Sequence, residues 1–306
     1  MKIIASFLIA LAVASSATAE QVKSREQAQA LLSSLKFRTG QISLHDGLAT
    51  LTVPQGFKFL DGPDANKIIV DLWGNPPSEP PLGLLMPDAK GALSRDSWAV
   101  IINYEGSGYV KDKDAEKINY NDLLERMKKD VHGANPERKR LGYPEMELVG
   151  WAAPPRYDEG THKLYWAKEL KFGETTEDTL NYNIRILGRH GVLILNAVAS
   201  VSQLPEITQA TPAILSAVDY TPGNRYADFN PASGDKVATY GIAALVAGGV
   251  AAKAGLFKVL WVGILAAKKF IIIGVAAIAT WFRKLLGKKK VSNSASASDT
   301  LSGPAA

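Results

Sequence analysis

Hydrophobic and polar positions follow two different patterns along this chain. Up to residue 236, apolar residues occur in short runs that alternate with polar ones or recur at helical spacing. Beyond that point they form long stretches that lysines interrupt. The first pattern is typical of a folded domain with strands and amphipathic helices, and the second is typical of membrane-inserted segments.

The first pattern predicts hairpins and separate helices. Asp46-Gly47 between two alternating runs is a strong hairpin signal. A second hairpin is predicted over 179–200, where Asn181, Asn183 and Arg185 alternate with apolar residues and would leave one side of the strand facing solvent. Further strands are predicted over 98–104, 145–152 and 162–171, and helices over 24–37, 65–73, 119–131 and 207–218. This order predicts an α+β fold, with an antiparallel sheet and helices packed on it, followed by a C-terminal transmembrane helical segment.

Residues 1–19 have the pattern of a signal peptide. Lys2 precedes an apolar run from Ile3 to Ala14, which is too short to span a bilayer. Ala17-Thr18-Ala19 is a cleavage site, so we expect the mature chain to begin at Glu20. The chain has no Cys, which excludes disulfides, thiolate metal sites and a cysteine nucleophile.

The segment 237–287 is predicted to be a membrane anchor of one or two helices. Between Val237 and Lys290 there are nine Lys and Arg residues and no Asp or Glu. The stretch 240–267 is 28 residues long and can cross a bilayer, whereas 270–282 is shorter. The basic residues that follow favour a cytoplasmic C-terminus. An odd number of crossings, and a hairpin with a cytoplasmic turn at Lys268-Lys269, both stay open.

Residues 20–236 form the predicted exported domain, and 288–306 a basic and then disordered tail. The exported domain carries 25 basic and 29 acidic residues, so the positive charge of the chain belongs to the anchor. A basic anchor indicates anionic lipid head groups and not nucleic acid. We therefore expect the protein in the bacterial inner membrane, with its main domain on the periplasmic side. The lipid bilayer is the expected partner, and another envelope protein is a further candidate.

Two groups of side chains are candidates for a site. Tyr157, Asp158 and His162 form the densest polar and aromatic group, in which Asp158 and His162 could act as a carboxylate–imidazole pair. The same group is also typical of a polar loop between two strands. Arg185 and Arg189, beside His190, could bind an anion or could line the solvent-facing side and turn of the hairpin. Both interpretations of each group stay open.

The sequence predicts no metal and no cofactor. The four His residues form no H-E-x-x-H pattern, and no two lie four residues apart. Asp112, Asp114 and Glu116 resemble the start of a calcium loop, but Lys117 and Leu123 stand where Gly and Glu are needed. There is no phosphate loop and no G-x-S-x-G elbow. Enzymatic activity is therefore less favoured than binding.

Several short segments spread over nearly all of the mature chain share the motifs of one family: Gly108-Tyr109-Val110 with Asp112, Gly150-Trp151 before Pro154-Pro155, and the segments 162–167, 187–189 and 240–245. On these motifs the chain resembles a bacterial family of uncharacterised membrane-anchored proteins, a domain-of-unknown-function family. The resemblance implies an exported domain on a C-terminal anchor and supplies no catalytic residues. More loosely, the order of elements is similar to the PsbP-like fold, which implies no function.

Three functional hypotheses follow. The leading one is a membrane-anchored envelope protein that acts as a non-enzymatic binding or accessory domain. The second is a hydrolase-type enzyme that uses His162 and Asp158. The third is a membrane scaffold that assembles through its C-terminal helices, with Gly248 and Gly249 at the helix contact. Because the sequence lacks a recognisable set of nucleophile and base, the first is favoured over the second.

Overall fold

The computed structural model describes residues 26–75, 78–94 and 96–248. They form an α+β domain with two antiparallel sheets, which confirms the predicted fold class for this part of the chain. The strands are β1 (Gln41–Leu44), β2 (Ala49–Thr52), β3 (Phe57–Asp61), β4 (Gly83–Pro87), β5 (Ala99–Glu105), β6 (Met146–Asp158), β7 (Lys163–Phe172), β8 (Thr179–Leu187), β9 (Val192–Ser200) and β10 (Val218–Tyr220). The helices are α1 (26–34), α2 (Gly62–Asn66) with a following π-helix (Lys67–Leu72), α3 (Tyr120–Arg140), α4 (Leu204–Ala217) and α5 (Ile242–Ala247).

The larger sheet has seven strands in the order β3-β4-β5-β9-β8-β7-β6. Every neighbouring pair is antiparallel. The hairpin predicted over 179–200 is present as β8 and β9, with Leu187 opposite Val192 next to the turn. The hairpin predicted at Asp46-Gly47 is present as β1 and β2, and β10 pairs with β2 to complete a sheet of three strands. Central strands of the larger sheet therefore come from segments that are distant in the sequence.

One face of the larger sheet is the main hydrophobic core. Successive strand residues point to opposite faces, so this face receives alternate side chains of β5, β8 and β9. Leu180 and Ile184 of β8 pack here against Leu51 of β2 and Ile207 of α4. Burying an aliphatic side chain of this size contributes about 1.5–3 kcal/mol. The smaller sheet and α4 therefore cover this face and hold it.

Helices cover the second face of the larger sheet near each of its two edges. Helices α3 and α5 pack over β6 and β7, where Trp166 and Leu245 share a cluster of buried side chains. Helix α1, α2 and the π-helix pack over β4 and β5, where Ile68 and Ile101 share another. The middle of this face, formed chiefly by β8 and β9, carries polar side chains.

The solvent-facing side predicted for β8 is wrong. Asn181 and Asn183 are each 1% exposed, and Arg185 is 8% exposed. Alternation identifies the strand correctly, but it cannot show whether the polar side is buried or faces solvent. The same limit explains why the short strands β3, β4 and β10 were not predicted, since their apolar runs are too short to show a period.

Residues 237–248 pack on the domain, although the sequence pattern assigned them to the anchor. Val237 pairs with Tyr109 in an isolated bridge, and the Tyr240 hydroxyl donates to the Glu105 carboxylate at 2.7 Å. Ile242 of α5 is fully buried. The domain therefore does not end at residue 236, because α5 completes the core beside α3.

The predictions of a signal peptide, a membrane anchor and a C-terminal tail concern residues that the structure does not describe, apart from the start of the anchor. The signal peptide at 1–19, the anchor beyond residue 248 and the tail at 288–306 lie outside the described residues. Within the described ranges, no helix combines the length and the apolar character that a bilayer crossing needs.

Candidate functional site

The polar part of the second face is built by neighbouring strands in register. Lys168 of β7 lies opposite Asn181 of β8, and Asn183 of β8 lies opposite Asn196 of β9. Residues directly opposite in an antiparallel pair share a face, as do residues two apart on one strand. Arg185 therefore points to the same side as Asn181 and Asn183.

Two further residues extend this surface. Trp166 of β7 lies opposite Asn183, and the centre of its ring is 5.0 Å from the guanidinium carbon of Arg185. Asn103 of β5 lies opposite Ile194 of β9, which is two residues from Asn196. The polar surface thus crosses four adjacent strands.

Hydrogen bonds between these side chains use their amide oxygens as acceptors. Nδ2 of Asn183 donates to the main-chain oxygen of Asn181 at 2.8 Å and to its Oδ1 at 2.9 Å. Nη1 of Arg185 donates to the main-chain oxygen of Ile184 at 2.9 Å and to Oδ1 of Asn196 at 3.0 Å. The acceptors of Asn181 and Asn196 are therefore occupied within the protein.

Several donors on the same surface are not paired. Three buried N–H groups here have no hydrogen-bond partner among the described residues: Nδ2 of Asn103, Nε1 of Trp166 and Nδ2 of Asn181. Across the described part of the chain, only Asn66 Oδ1 and Ser97 Oγ are also buried side-chain atoms in this state. A buried donor without a partner costs about 1–3 kcal/mol, and native proteins keep few of them. Their concentration on one surface is therefore a mark of a site.

Two cations share the surface with these donors. Burial, together with the charge of Arg185, lowers the pKa of Lys168 to about 8. Burial likewise lowers the pKa of Arg185 to about 10. Neither cation forms an ion pair with an acidic residue in the part of the chain that the structure describes. We call Lys168 and Arg185, together with Asn103, Trp166 and Asn181, the donor cluster.

Glu105, at the end of β5, is the acidic residue whose charge acts on Arg185. Its carboxylate accepts a hydrogen bond from the Tyr240 hydroxyl at 2.7 Å. Burial raises the pKa of Tyr240 above its ordinary value, so this hydroxyl remains a donor. Glu105 is therefore bonded to the segment before α5 and not to either cation of the donor cluster.

A second group of polar side chains surrounds His162, at the turn between β6 and β7. Its Nδ1 is 3.2 Å from the Tyr157 hydroxyl and 3.5 Å from Oδ2 of Asp112. The Tyr157 hydroxyl donates to that same oxygen of Asp112 at 2.7 Å. The ring centres of His162 and Tyr226 are 4.1 Å apart. We call Asp112, Tyr157, His162 and Tyr226 the histidine cluster.

The predicted pair of Asp158 and His162 is not formed. The Asp158 carboxylate accepts hydrogen bonds from the backbone N–H groups of Gly160 at 2.9 Å and Thr161 at 3.2 Å. It therefore stabilises the turn that leads into β7, which is the usual behaviour of Asp in a tight turn. The carboxylate that contacts His162 is Asp112, which lies far away in the sequence.

The histidine cluster holds only part of what nucleophilic or metal-dependent catalysis needs. A carboxylate that orients an imidazole is one component of such sites, and a nucleophile or a metal is another. Burial and Asp112 raise the pKa of Tyr157, so its hydroxyl is a donor and not a nucleophile. Within the described ranges, no group of three or more His, Cys, Asp or Glu side chains is placed to hold a metal ion.

The sequence leaves two interpretations of Arg189 open, and the geometry favours a role in the turn of the hairpin over an anion site shared with Arg185. The guanidinium of Arg189 donates to both carboxylate oxygens of Asp235, at 2.7 and 3.0 Å. It also donates to the main-chain oxygen of Gly223 at 3.0 Å and to Oγ of Ser233 at 2.9 Å. These hydrogen bonds from Arg189 lower the pKa of Asp235 to about 2. Arg189 therefore fixes the turn between β8 and β9 to the segment that follows β10.

The predicted site residues are thus divided among different parts of the domain. Arg185 belongs to the donor cluster, Tyr157 and His162 belong to the histidine cluster, and Asp158 and Arg189 stabilise turns. Sequence reasoning missed Asn103, Trp166, Lys168 and Asn181 as members of one site. The available signal is the polar alternation on β8, which does not distinguish a solvent-facing side from a buried one.

Comparisons with known proteins give a family and a set of distant structures. A family model described as "Protein of unknown function (DUF2167)" matches residues 11–279. No curated protein matches the chain in sequence. Among solved structures, cyanobacterial PsbP (CyanoP) from Synechocystis sp. PCC 6803 is 13% identical, with 61% of this chain and 94% of that chain covered and a TM-score of 0.34.

Two other solved structures match this chain with similar sequence identity, coverage and TM-score. LpqN, described as involved in cell envelope biogenesis of Mycobacterium tuberculosis, is 15% identical, with 61% of this chain and 92% of that chain covered and a TM-score of 0.29. The Ran-binding protein Mog1p of Saccharomyces cerevisiae is 11% identical, with 64% of this chain and 100% of that chain covered and a TM-score of 0.31. At such TM-scores we draw no functional conclusion. The family model covers most of the chain, so this protein belongs to the DUF2167 family of proteins of unknown function, as its motifs had suggested.

Proposed function

We propose that this chain is a membrane-tethered, non-enzymatic binding protein of the bacterial envelope, and that its α+β domain holds a small ligand at the donor cluster. The main support is the set of three buried, unpaired N–H groups on one surface, beside two cations. A ligand with matching acceptors would remove the cost of leaving these donors unpaired. A few convergent polar groups in a largely apolar setting are typical of small-molecule sites.

The position of the donor cluster supports this function. Its residues stand on β5, β7 and β8, which are inner strands of the larger sheet. Sites on regular elements hold their groups in a more fixed geometry than sites on loops. Helices α3 and α5 on one side, and α2 with the π-helix on the other, flank this part of the face. The donor cluster therefore stands on regular elements, with packed helices on either side of it along the sheet.

The tether and the location rest on the sequence. The signal-peptide pattern of 1–19 supports export, and the uncompensated basic residues of 237–290 support a membrane anchor with a cytoplasmic end. The binding domain would then lie on the periplasmic side of the inner membrane. Because Ile242, Leu245 and Val246 of α5 are buried in the domain, we propose that the tether starts after α5.

An enzymatic function has less support. The expected acid–base pair is absent, since Asp158 stabilises its own turn. The rings of Tyr109 and Tyr226 stack with centres 4.3 Å apart, and those of Tyr109 and Phe229 with centres 4.0 Å apart. The histidine cluster is thus packed against aromatic rings, which is typical of a structural polar junction. The scaffold hypothesis depends on helices outside the described residues.

Native mass spectrometry of the intact protein, purified from bacterial membranes in a mild detergent, tests the proposed function. We expect a fraction of the protein to carry a small molecule that denaturation releases. Asn181→Ala should lose it, because this substitution removes one buried donor. Lys171→Met, which changes an exposed residue on the same strand as Lys168, should retain it.

Two results would contradict the proposal. One is a bound molecule that Asn181→Ala retains as well as the wild type, because the ligand would then lie elsewhere. The other is a protein that carries no small molecule and whose melting temperature does not change when a periplasmic extract is added.

A further inference from the structure

The buried side-chain atoms of the donor cluster that lack a hydrogen-bond partner are all N–H donors. The indole N–H of Trp166 can only donate, and the charged groups of Lys168 and Arg185 have no acceptor. The amide oxygen of Asn181 already accepts a hydrogen bond from Asn183. What the cluster lacks is therefore acceptors, and a ligand group that offers acceptors alone fits it better than a hydroxyl, which brings its own donor.

Arg185 keeps most of its donors available. Both of its hydrogen bonds come from Nη1, one to Ile184 and one to Asn196. Its Nε and Nη2 have no partner among the described residues. The position of the guanidinium is fixed, because its carbon lies 5.0 Å from the centre of the Trp166 ring. A guanidinium held over an aromatic ring, with two nitrogens that have no partner among the described residues, is suited to bidentate recognition of an oxyanion.

The charges favour the same kind of ligand. Lys168 and Arg185 are close enough for the charge of one to act on the other, and no described acidic residue pairs with either. Glu105 is bonded to Tyr240. Taking a cation out of water is costly unless an opposite charge or several hydrogen bonds compensate it. An anion would compensate a cation that it contacts, whereas a cationic ligand would be repelled by both Lys168 and Arg185.

From these observations we infer that the ligand of the donor cluster presents an oxyanion, a carboxylate or a phosphate, to Lys168, Arg185 and the unpaired N–H groups beside them. This inference rests on the proposed binding function and adds the chemical class of the ligand. Carboxylate and phosphate oxygens are acceptors only, and both match the guanidinium fork.

Isothermal titration calorimetry on the full chain in a neutral detergent tests the inference. The probes are inorganic phosphate and sodium succinate, in a chloride buffer without other oxyanions, with glucose and choline chloride as a neutral and a cationic control. We expect one of the two anions to bind, and glucose and choline not to bind. The anion that binds identifies the phosphate or the carboxylate form of the ligand.

Matched variants locate the binding. Lys168→Met should weaken the binding of the anion by about tenfold or more, since hydrogen bonds to charged groups contribute about 1.5–3 kcal/mol. Lys168→Arg keeps the charge and should stay within a few-fold of the wild type. Lys171→Met on the same strand should bind like the wild type. The melting temperature of each variant shows whether the fold is intact.

The outcomes separate the two proposals. If neither anion binds, while native mass spectrometry finds a neutral molecule that Asn181→Ala releases, the oxyanion inference is wrong and the binding function stands. If no ligand of any kind is found, both are wrong. If Lys168→Met binds the anion as tightly as Lys171→Met, the anion is bound elsewhere and the inference fails.

Discussion

Lys168→Met should make the ligand-free protein more stable, although it removes a residue from the interior of the sheet. Lys168 is partly buried, lies on the same face as Arg185, and forms no ion pair within the described residues. The positive charge of Lys168 therefore destabilises the folded state. Residues that a protein keeps at the expense of its own stability are typical of functional sites.

The size of this effect follows from the pKa. A lysine whose pKa falls from its ordinary value of 10.5 to about 8 has lost about 3 kcal/mol of stabilisation of its charged form, at 1.36 kcal/mol per pH unit. Because the side chain is still partly exposed, we expect only part of this penalty to be recovered. Methionine has a similar length and can use the same space. The expected gain at pH 7 is about 1–3 kcal/mol in the free energy of unfolding.

The contribution of Lys168 to the free energy of unfolding should also depend on pH. The folded pKa of Lys168, about 8, lies below its unfolded value, so the unfolded state binds more protons between these two values. Stability of the wild type should therefore rise as pH increases from about 8 towards 10.5. The penalty is fully present below pH 8, so the advantage of Lys168→Met should be largest at neutral pH and should shrink above it.

Urea unfolding, followed by tryptophan fluorescence, measures this difference. Lys171→Met is the control, and an exposed substitution of this kind should change the free energy of unfolding by less than about 0.5 kcal/mol. The wild type should become more stable on addition of the anion that binds, whereas Lys168→Met should respond little. If Lys168→Met is instead less stable than the control at pH 7, Lys168 has a structural partner and the reasoning is refuted.

Two further predictions concern the rest of the domain. Asp235→Asn should lower the melting temperature at neutral pH because it breaks the paired hydrogen bonds to Arg189, and an unchanged melting temperature would contradict this role. In the wild type this contribution should be lost as pH falls from about 4 towards 2, since the pKa of Asp235 is lowered from 3.8 to about 2, and the variant should lack this step. A chain that ends after Pro231 should be less stable to urea by about 5 kcal/mol or more than one that ends after Gly248, because it lacks the buried apolar residues of α5 and the Asp235 carboxylate that pairs with Arg189. Equal stability of the two chains would show that α5 adds nothing to the core.

The sequence predicts the regular parts of the fold well. The pattern of β8 alternates over seven residues, and the β8–β9 hairpin lies where that alternation places it. Long periodic segments carry a strong local signal, since burial of one face fixes the register of a strand. The capping signal at Asn119 likewise marks the start of α3, where its side chain accepts hydrogen bonds from Asn121 and Asp122.

The site could not be predicted in the same way, because its members meet only through the order of the strands. Asn103 of β5 is distant in sequence from Trp166 of β7 and Asn181 of β8, and β9 inserts between β5 and β8 to bring them onto one sheet. No spacing rule connects them. Asn181 and Arg185 were visible as polar positions on a strand, but periodicity cannot distinguish a polar side that faces solvent from one that is buried. Asp112 was missed as the partner of His162 for the same reason.

The most direct test follows the Trp166 indole N–H while an oxyanion is added. This group is buried and unpaired among the described residues, so it should form a new hydrogen bond when the ligand binds. The chain has six Trp residues, and Trp166→Phe assigns the indole signal in a spectrum of ¹⁵N-tryptophan-labelled protein. We predict that saturating phosphate or succinate moves the Trp166 signal downfield and leaves the other indole signals nearly unchanged. A Trp166 signal that stays in place at saturation would contradict binding of an oxyanion at the donor cluster.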